Sequence, residues 1–148
     1  IKLLTEKYAG VPDEKLTFEL DFTTNKSTYS SDLLITDWSA IAYEFCFSTK
    51  KPVLFVNTKM KMENPEWEKL GLTPAEIYLR DKVGVALEKS ELDRTKTVAD
   101  ELMSSGEKYK EKITALLHEH LYSYGTNGAE GAKYILRRLA EIQKNRKD

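Results

Sequence analysis

The sequence predicts an α/β fold: a small parallel sheet flanked by helices, with a helical C-terminal portion. Three observations predict it. Leu33-Leu34-Ile35 and Val53-Leu54-Phe55-Val56 are continuous apolar runs, the pattern of strands buried on both faces of a parallel sheet. Between them Ala40, Ile41, Phe45, Cys46 and Phe47 fall at helical spacing, and a strand, helix, strand order is most simply a right-handed βαβ crossover. Beyond Ser90 the apolar positions mark successive helices.

The chain has 148 residues, 41% hydrophobic and 32% charged, enough for one ordinary core and short for two, so a single domain over residues 1–148 is expected. Lys and Arg total 23 against 24 for Asp and Glu, a net charge of −1, which gives no overall attraction to nucleic acid or to an anionic membrane. Cys46 is the single cysteine; it has no pairing partner and suits a core position in a reducing, cytoplasmic compartment. No signal-peptide pattern opens the chain, and no apolar run approaches the ~20 residues that span a bilayer. The chain starts in mid-pattern at Ile1-Lys2-Leu3-Leu4 without a Met, as a piece of a longer protein would.

In chain order, Ile1 to Ala9 reads as a short helix or a frayed end, stopped at Gly10-Val11-Pro12. Lys15 to Leu20 alternates, with Leu16, Phe18 and Leu20 on one side, as a strand does. Asp21 to Asn25 is a turn, and Asn25 to Ser31 one or two helical turns. After the central strand, helix and second strand, Asn57 to Pro74 is a long polar loop holding Met60, Met62 and Trp67. Thr73-Pro74-Ala75-Glu76 opens a helix with proline at the first helical position, and Asp81 to Leu87 gives a short edge strand through Val83, Val85 and Leu87. Leu92, Val98, Leu102 and Met103 mark a helix ending near Ser104-Ser105-Gly106; Tyr109, Ile113, Leu116 and Leu117 mark the next. His118 and His120 are two apart, so on a helix they diverge and do not form a metal pair. Tyr122 to Gly128 is a loop before a last helix carrying Ala129, Ala132, Ile135, Leu136 and Leu139.

The chemistry concentrates where the first apolar run meets its helix. Ligands of open α/β sheets collect at the carboxyl ends of strands, where a helix N-terminus offers unpaired amides and about half a positive charge. Asp37 or Ser39 is the candidate N-cap, and Ser39 with the amides of Ala40 and Ile41 is equally a phosphate cradle. Glu44, one turn inside, is either a ligand for a ribose diol or an exposed helix acid. There is no glycine-rich phosphate loop, zinc spacing or Ser-His-Asp order, and no cofactor is expected.

The run Ser31-Asp32-Leu33-Leu34-Ile35-Thr36-Asp37-Trp38-Ser39-Ala40, followed by Glu44-Phe45 and Lys51-Pro52-Val53-Leu54-Phe55, resembles the C-terminal domain of the CDP-glycerol glycerophosphotransferases that build teichoic-acid-type polymers. Tyr124-Gly125-Thr126-Asn127-Gly128-Ala129 is similar, more weakly, to that family's small-residue loop before its last helix. The resemblance implies the Rossmann-like C-terminal half of a GT-B glycosyltransferase, binding a CDP-glycerol donor and working with an N-terminal domain and a polymer or lipid-linked acceptor. It implies a cytoplasmic protein at the inner face of the plasma membrane. Ser39 would meet the donor pyrophosphate, Asp37 would order the turn, and Glu44 would lie near the ribose or glycerol. Ala40 stands where the family has a second serine, and no histidine precedes the motif, so the acid–base histidine is expected upstream of this chain. Two other readings stay open: half of a sugar-nucleotide GT-B enzyme, or a non-catalytic α/β module docking through Met60 to Trp67.

Overall fold

A computed structural model describes residues 1–21, 26–61, 64 and 66–145, and the chain divides into two compact units, Ile1–Ser30 and Ser31–Asp148. The first unit contains helices α1 (Lys2–Lys7) and α2 (Lys26–Ser30). Lys15 to Leu20, expected as a strand, is irregular. The amides of Lys15 and Leu16 turn back to the Pro12 carbonyl at 2.9 and 3.1 Å, and Phe18 and Leu20 are exposed. Alternation makes a strand only where a neighbour supplies the ladder, and none does within this unit among the described residues. Of the turn expected at Asp21 to Asn25, residues 22–25 lie outside the described residues, and with them Asn25 as a helix start.

The second unit is α/β. Strands β1 (Leu34–Thr36), β2 (Val53–Asn57) and β3 (Gly84–Glu88) form one parallel sheet in the order β1-β2-β3, with Leu34 opposite Val53 and Leu54 opposite Val85. Helix α3 (Ile41–Thr49) connects β1 to β2, giving the βαβ unit. The short helices α4 (Ala75–Tyr78) and α5 (Arg80–Val83) precede β3, and α6 (Thr95–Ser104), α7 (Gly106–His120) and α8 (Asn127–Asn145) follow it. A parallel sheet flanked by helices is consistent with a Rossmann-like α/β fold.

Strand β2 explains why its sequence is apolar without alternation. Val53 and Phe55 face one core layer, with Ala42, Phe45 and Cys46 of α3 and Ile113 and Leu116 of α7. Leu54 faces the other, with Leu87, Val98 and Leu102. Successive side chains of a strand point to opposite sides, so a central strand covered twice has no polar position to spare. The same expectation fails for β1. It is an edge strand of the sheet, and Ile35 is 49% exposed.

Val83, expected in the edge strand, instead closes a helical turn, its amide bonding the Leu79 carbonyl at 3.0 Å; β3 begins one residue later at Gly84. Glycine is required there by close approach: a Cβ would lie 1.8 Å from the Val53 carbonyl oxygen. Pro74 precedes α4 as its N-cap, one position earlier than expected. Leu92 lies in a 3₁₀ segment, Lys89–Arg94, that Glu88 and Glu91 open as a capping box. The break between α6 and α7 falls at Ser105, as expected.

Candidate functional site

Helix α3 starts at Ile41 with Ala40 as its N-cap, and neither Asp37 nor Ser39 caps it through a side chain. Ala40 already has right-handed helical torsions, φ −59° and ψ −26°, so Ser39 contributes its carbonyl to the first turn, accepting from Ala42 at 3.2 Å. The Asp37 carboxylate is drawn away from the helix. It accepts from Thr58 Oγ1 at 3.2 Å and pairs with Lys61 Nζ at 3.4 Å. Trp38 Nε1 donates to the Thr58 carbonyl at 3.1 Å. These contacts tie the β1–α3 turn to the chain leaving β2.

Beneath this corner lies Arg80, the one buried charged residue of the described chain, 5% exposed. Its guanidinium donates to the Asp37 carbonyl at 3.1 Å and to Asn57 Oδ1 at 2.8 Å. It is packed on two aromatic rings, its central carbon 3.9 Å from the Trp38 ring centre and 4.2 Å from that of Phe55. Asn57 in turn donates to Glu88 Oε1 at 2.6 Å. Asp37 follows β1, Asn57 ends β2 and Glu88 ends β3, so one arginine links the carboxyl ends of all three strands. Among the described residues Arg80 has no ion-pair partner. Burial lowers its pKa from the ordinary arginine value, with the nearby Tyr43, Asp81 and Asp37 opposing that shift.

An open groove of about 460 Å³ runs along this end of the sheet. Trp38, Ala40, Lys61, Trp67, Thr73 and Glu76 line it, with Asn64, Leu70, Leu72 and Pro74. Both tryptophans of the chain therefore face one space. The amides of Ala40 and Ile41 donate to no other group among the described residues. Tyr43 Oη donates to the Glu76 carbonyl at 2.9 Å and fixes the start of α4 beside α3; burial raises the Tyr43 pKa. Indole faces, a lysine and a helix N-terminus suit a ligand with a flat ring and an anionic group.

Of the residues singled out in the sequence, the structure brings Asp37 and Ala40 to this corner. Ser39 is half-buried beside Ala40 and Ile41 is the first residue of α3, but neither lines the groove. Glu44 is exposed in the first turn, and its side chain makes no hydrogen bond or ion pair among the described residues. Met60 is exposed and Trp67 half-buried; Met62 lies outside the described residues. Arg80, Asn57 and Glu88 escaped sequence reasoning. Their one signal is position, since Asn57 and Glu88 are the first polar residues after two apolar strands.

The remaining candidates are structural. Cys46 is fully buried and burial pushes its thiol up to about 12, so it is no nucleophile at neutral pH. His120 meets Tyr78 Oη at 3.2 Å and His118 stacks edge-on with Tyr124 at 5.4 Å, so the two histidines diverge. No group of metal-ligating side chains occurs among the described residues. The Tyr124 to Ala129 segment turns through Gly125 at φ +83° and does not line the groove. Comparison with family models, with curated proteins and with solved structures gave no match.

Proposed function

We propose that this chain is the donor-nucleotide-binding part of a CDP-glycerol glycerophosphotransferase-like enzyme of GT-B architecture. The observation that carries the reading is the open groove at the carboxyl end of the parallel sheet, lined by both tryptophans, Lys61 and Ala40, whose amide, like that of Ile41 beside it, donates to no other group among the described residues. Phosphate oxygens would be met by the Ala40 and Ile41 amides, the Ser39 hydroxyl and Lys61. An indole face would carry the base, and Glu44 would accept from the ribose or glycerol hydroxyls. Asp37 holds Lys61 and Thr58, so its part is to order the turn.

The reaction is in-line attack by an acceptor hydroxyl on the donor β-phosphorus, releasing CMP. Positioning and neutralisation of phosphate charge supply the acceleration in such transfers. The resemblance implies an acid–base histidine ahead of the motif and none precedes it here, so donor binding is the part of the reaction this reading assigns to these residues.

Titration calorimetry with CDP-glycerol, CDP and UDP tests the reading, with tryptophan emission as a second signal. Heat and quenching with the cytidine nucleotides, and weaker effects with UDP, are expected. Absence of both with every cytidine nucleotide removes the assignment, and preference for UDP moves it to a sugar-nucleotide donor. Ser39→Ala is a clean probe, because the hydroxyl caps nothing: donor binding should weaken by about tenfold while the unfolding midpoint stays put.

A further inference from the structure

The geometry points to Trp38 as the platform on which the flat ring of the ligand stacks, with Arg80 as the positioning residue that holds it face-on to the groove. This assignment rests on the donor-binding reading and gives the base to one of the chain's two tryptophans. Phe55 is fully buried in the core, and the central carbon of the Arg80 guanidinium lies 4.2 Å from its ring centre and 3.9 Å from that of Trp38. Exposure rises along this series, from none at Phe55 through 5% at Arg80 to a half-buried Trp38. The stack therefore runs outward from the core, and Trp38 is the member of it that lines the groove. One face of the indole is taken by the guanidinium, so a ring entering the groove stacks on the other.

Hydrogen bonds fix both layers. Trp38 Nε1 donates to the Thr58 carbonyl at 3.1 Å, which sets the rotation of the indole. The guanidinium is held in its own plane by the Asp37 carbonyl and Asn57 Oδ1, at 3.1 and 2.8 Å. A ring held at one face and at its polar edge has little freedom left to lose when a base stacks on it, which favours binding. Trp67 lacks this support. It stands in a 3₁₀ segment, Trp67–Leu70, and among the described residues no hydrogen bond or ring contact reaches its indole. The guanidinium also sets the charge of this wall, favouring a ring that carries phosphate over a cationic one. Lysine is no substitute at such a position, since an ammonium has neither a plane to stack nor a fork to span two acceptors.

Fluorescence of the full chain with one tryptophan removed tests this, with CDP as the probe. In Trp67→Phe, where Trp38 alone emits, CDP should quench as strongly as in the wild type. In Trp38→Phe, where Trp67 alone emits, quenching should nearly vanish and calorimetric affinity for CDP should fall about tenfold. Arg80→Lys should lower CDP affinity about tenfold and raise acrylamide quenching of Trp38 in the Trp67→Phe background. Its affinity for inorganic pyrophosphate, which has no ring to stack, should stay within about twofold. Asn57→Ala, which removes one acceptor of the guanidinium and spares its stacking, is the milder probe and should show the same split at about threefold. Quenching that follows Trp67 while CDP still binds, or equal losses of CDP and pyrophosphate in Arg80→Lys and Asn57→Ala, would overturn the proposal and leave the donor reading standing. Failure of the wild-type chain to bind CDP would remove both.

Discussion

Arg80 shows how one side chain governs this end of the molecule. Taking a guanidinium out of water is costly, and among the described residues no carboxylate pairs with it directly, Asp81 and Asp37 acting on it only from nearby. Two charge-assisted hydrogen bonds, each about 1.5–3 kcal/mol, and the faces of Trp38 and Phe55 hold it in place. Arg80→Met would keep the packing volume and leave the Asp37 carbonyl and Asn57 Oδ1 without a donor. A loss of about 3 kcal/mol is expected in urea unfolding, with a shift in Trp38 emission; a loss below about 1 kcal/mol would show that water replaces the guanidinium freely. Cys46 makes a pH-dependent contribution whose sign follows from its burial. Its folded pKa, about 12, is raised above the ordinary 9.0, so above pH 9 the unfolded thiol ionises while the folded one stays protonated. The contribution is complete below pH 9 and is lost as pH rises toward 12. The stability gap between wild type and Cys46→Ala should therefore narrow by up to about 1.4 kcal/mol per pH unit in that window. Titration of the gap by chemical denaturation at pH 8, 9.5 and 10.5 checks it, and a constant gap would mean that the thiolate is accommodated in the core.

At the scale of elements, the two apolar runs that look alike in sequence differ in energy because the sheet gives them different neighbours. Leu54 is fully buried against Leu87, Val98 and Leu102, so Leu54→Ala should cost about 3 kcal/mol. Ile35 stands on an edge strand at 49% exposure, and Ile35→Thr should change stability by less than about 0.5 kcal/mol. Equal costs would mean that something covers β1 in solution. The contrast marks what was legible. The βαβ order, α3, β2 and the α6–α7 break were readable because periodicity and length fix them locally. Edge or centre is decided by chain elsewhere, and so is the fate of Lys15 to Leu20, which alternates correctly and has no partner to pair with among the described residues of its unit. The cap was misread for a related reason: Asp37 has Thr58 and Lys61 to bond, twenty-one and twenty-four residues away, and so leaves the helix to Ala40. Arg80 was illegible because only the folded sheet brings it under Trp38; in sequence it is an arginine between two short helical turns. Of the candidate site, the corner at Asp37 and Ala40 was readable from the strand–helix junction, whereas its far wall comes from Lys61, Trp67 and Thr73, in a loop whose path no local pattern specifies.

On the scale of the whole molecule, stability and surface are divided along the chain. The buried apolar side chains of the described residues all lie between Ala42 and Leu117, whereas α8 contributes none. Unfolding free energy and its denaturant slope follow the surface that unfolding exposes, so a helix that buries no side chain adds little to either. The candidate groove lies in the same division, since Trp38 through Glu76 precede α7 and owe nothing to α8. A chain ending at Thr126 should then unfold in one transition, within about 1 kcal/mol of the full chain and with nearly the same slope in urea. Its two tryptophans should keep their native emission, because Trp38 still stacks on Arg80. A loss above about 2 kcal/mol, or a second transition, would mean that α8 covers part of the core. Unchanged stability would leave nineteen residues with an exposed apolar face and no part in the fold, a pattern explained by something outside the chain against which that face is buried.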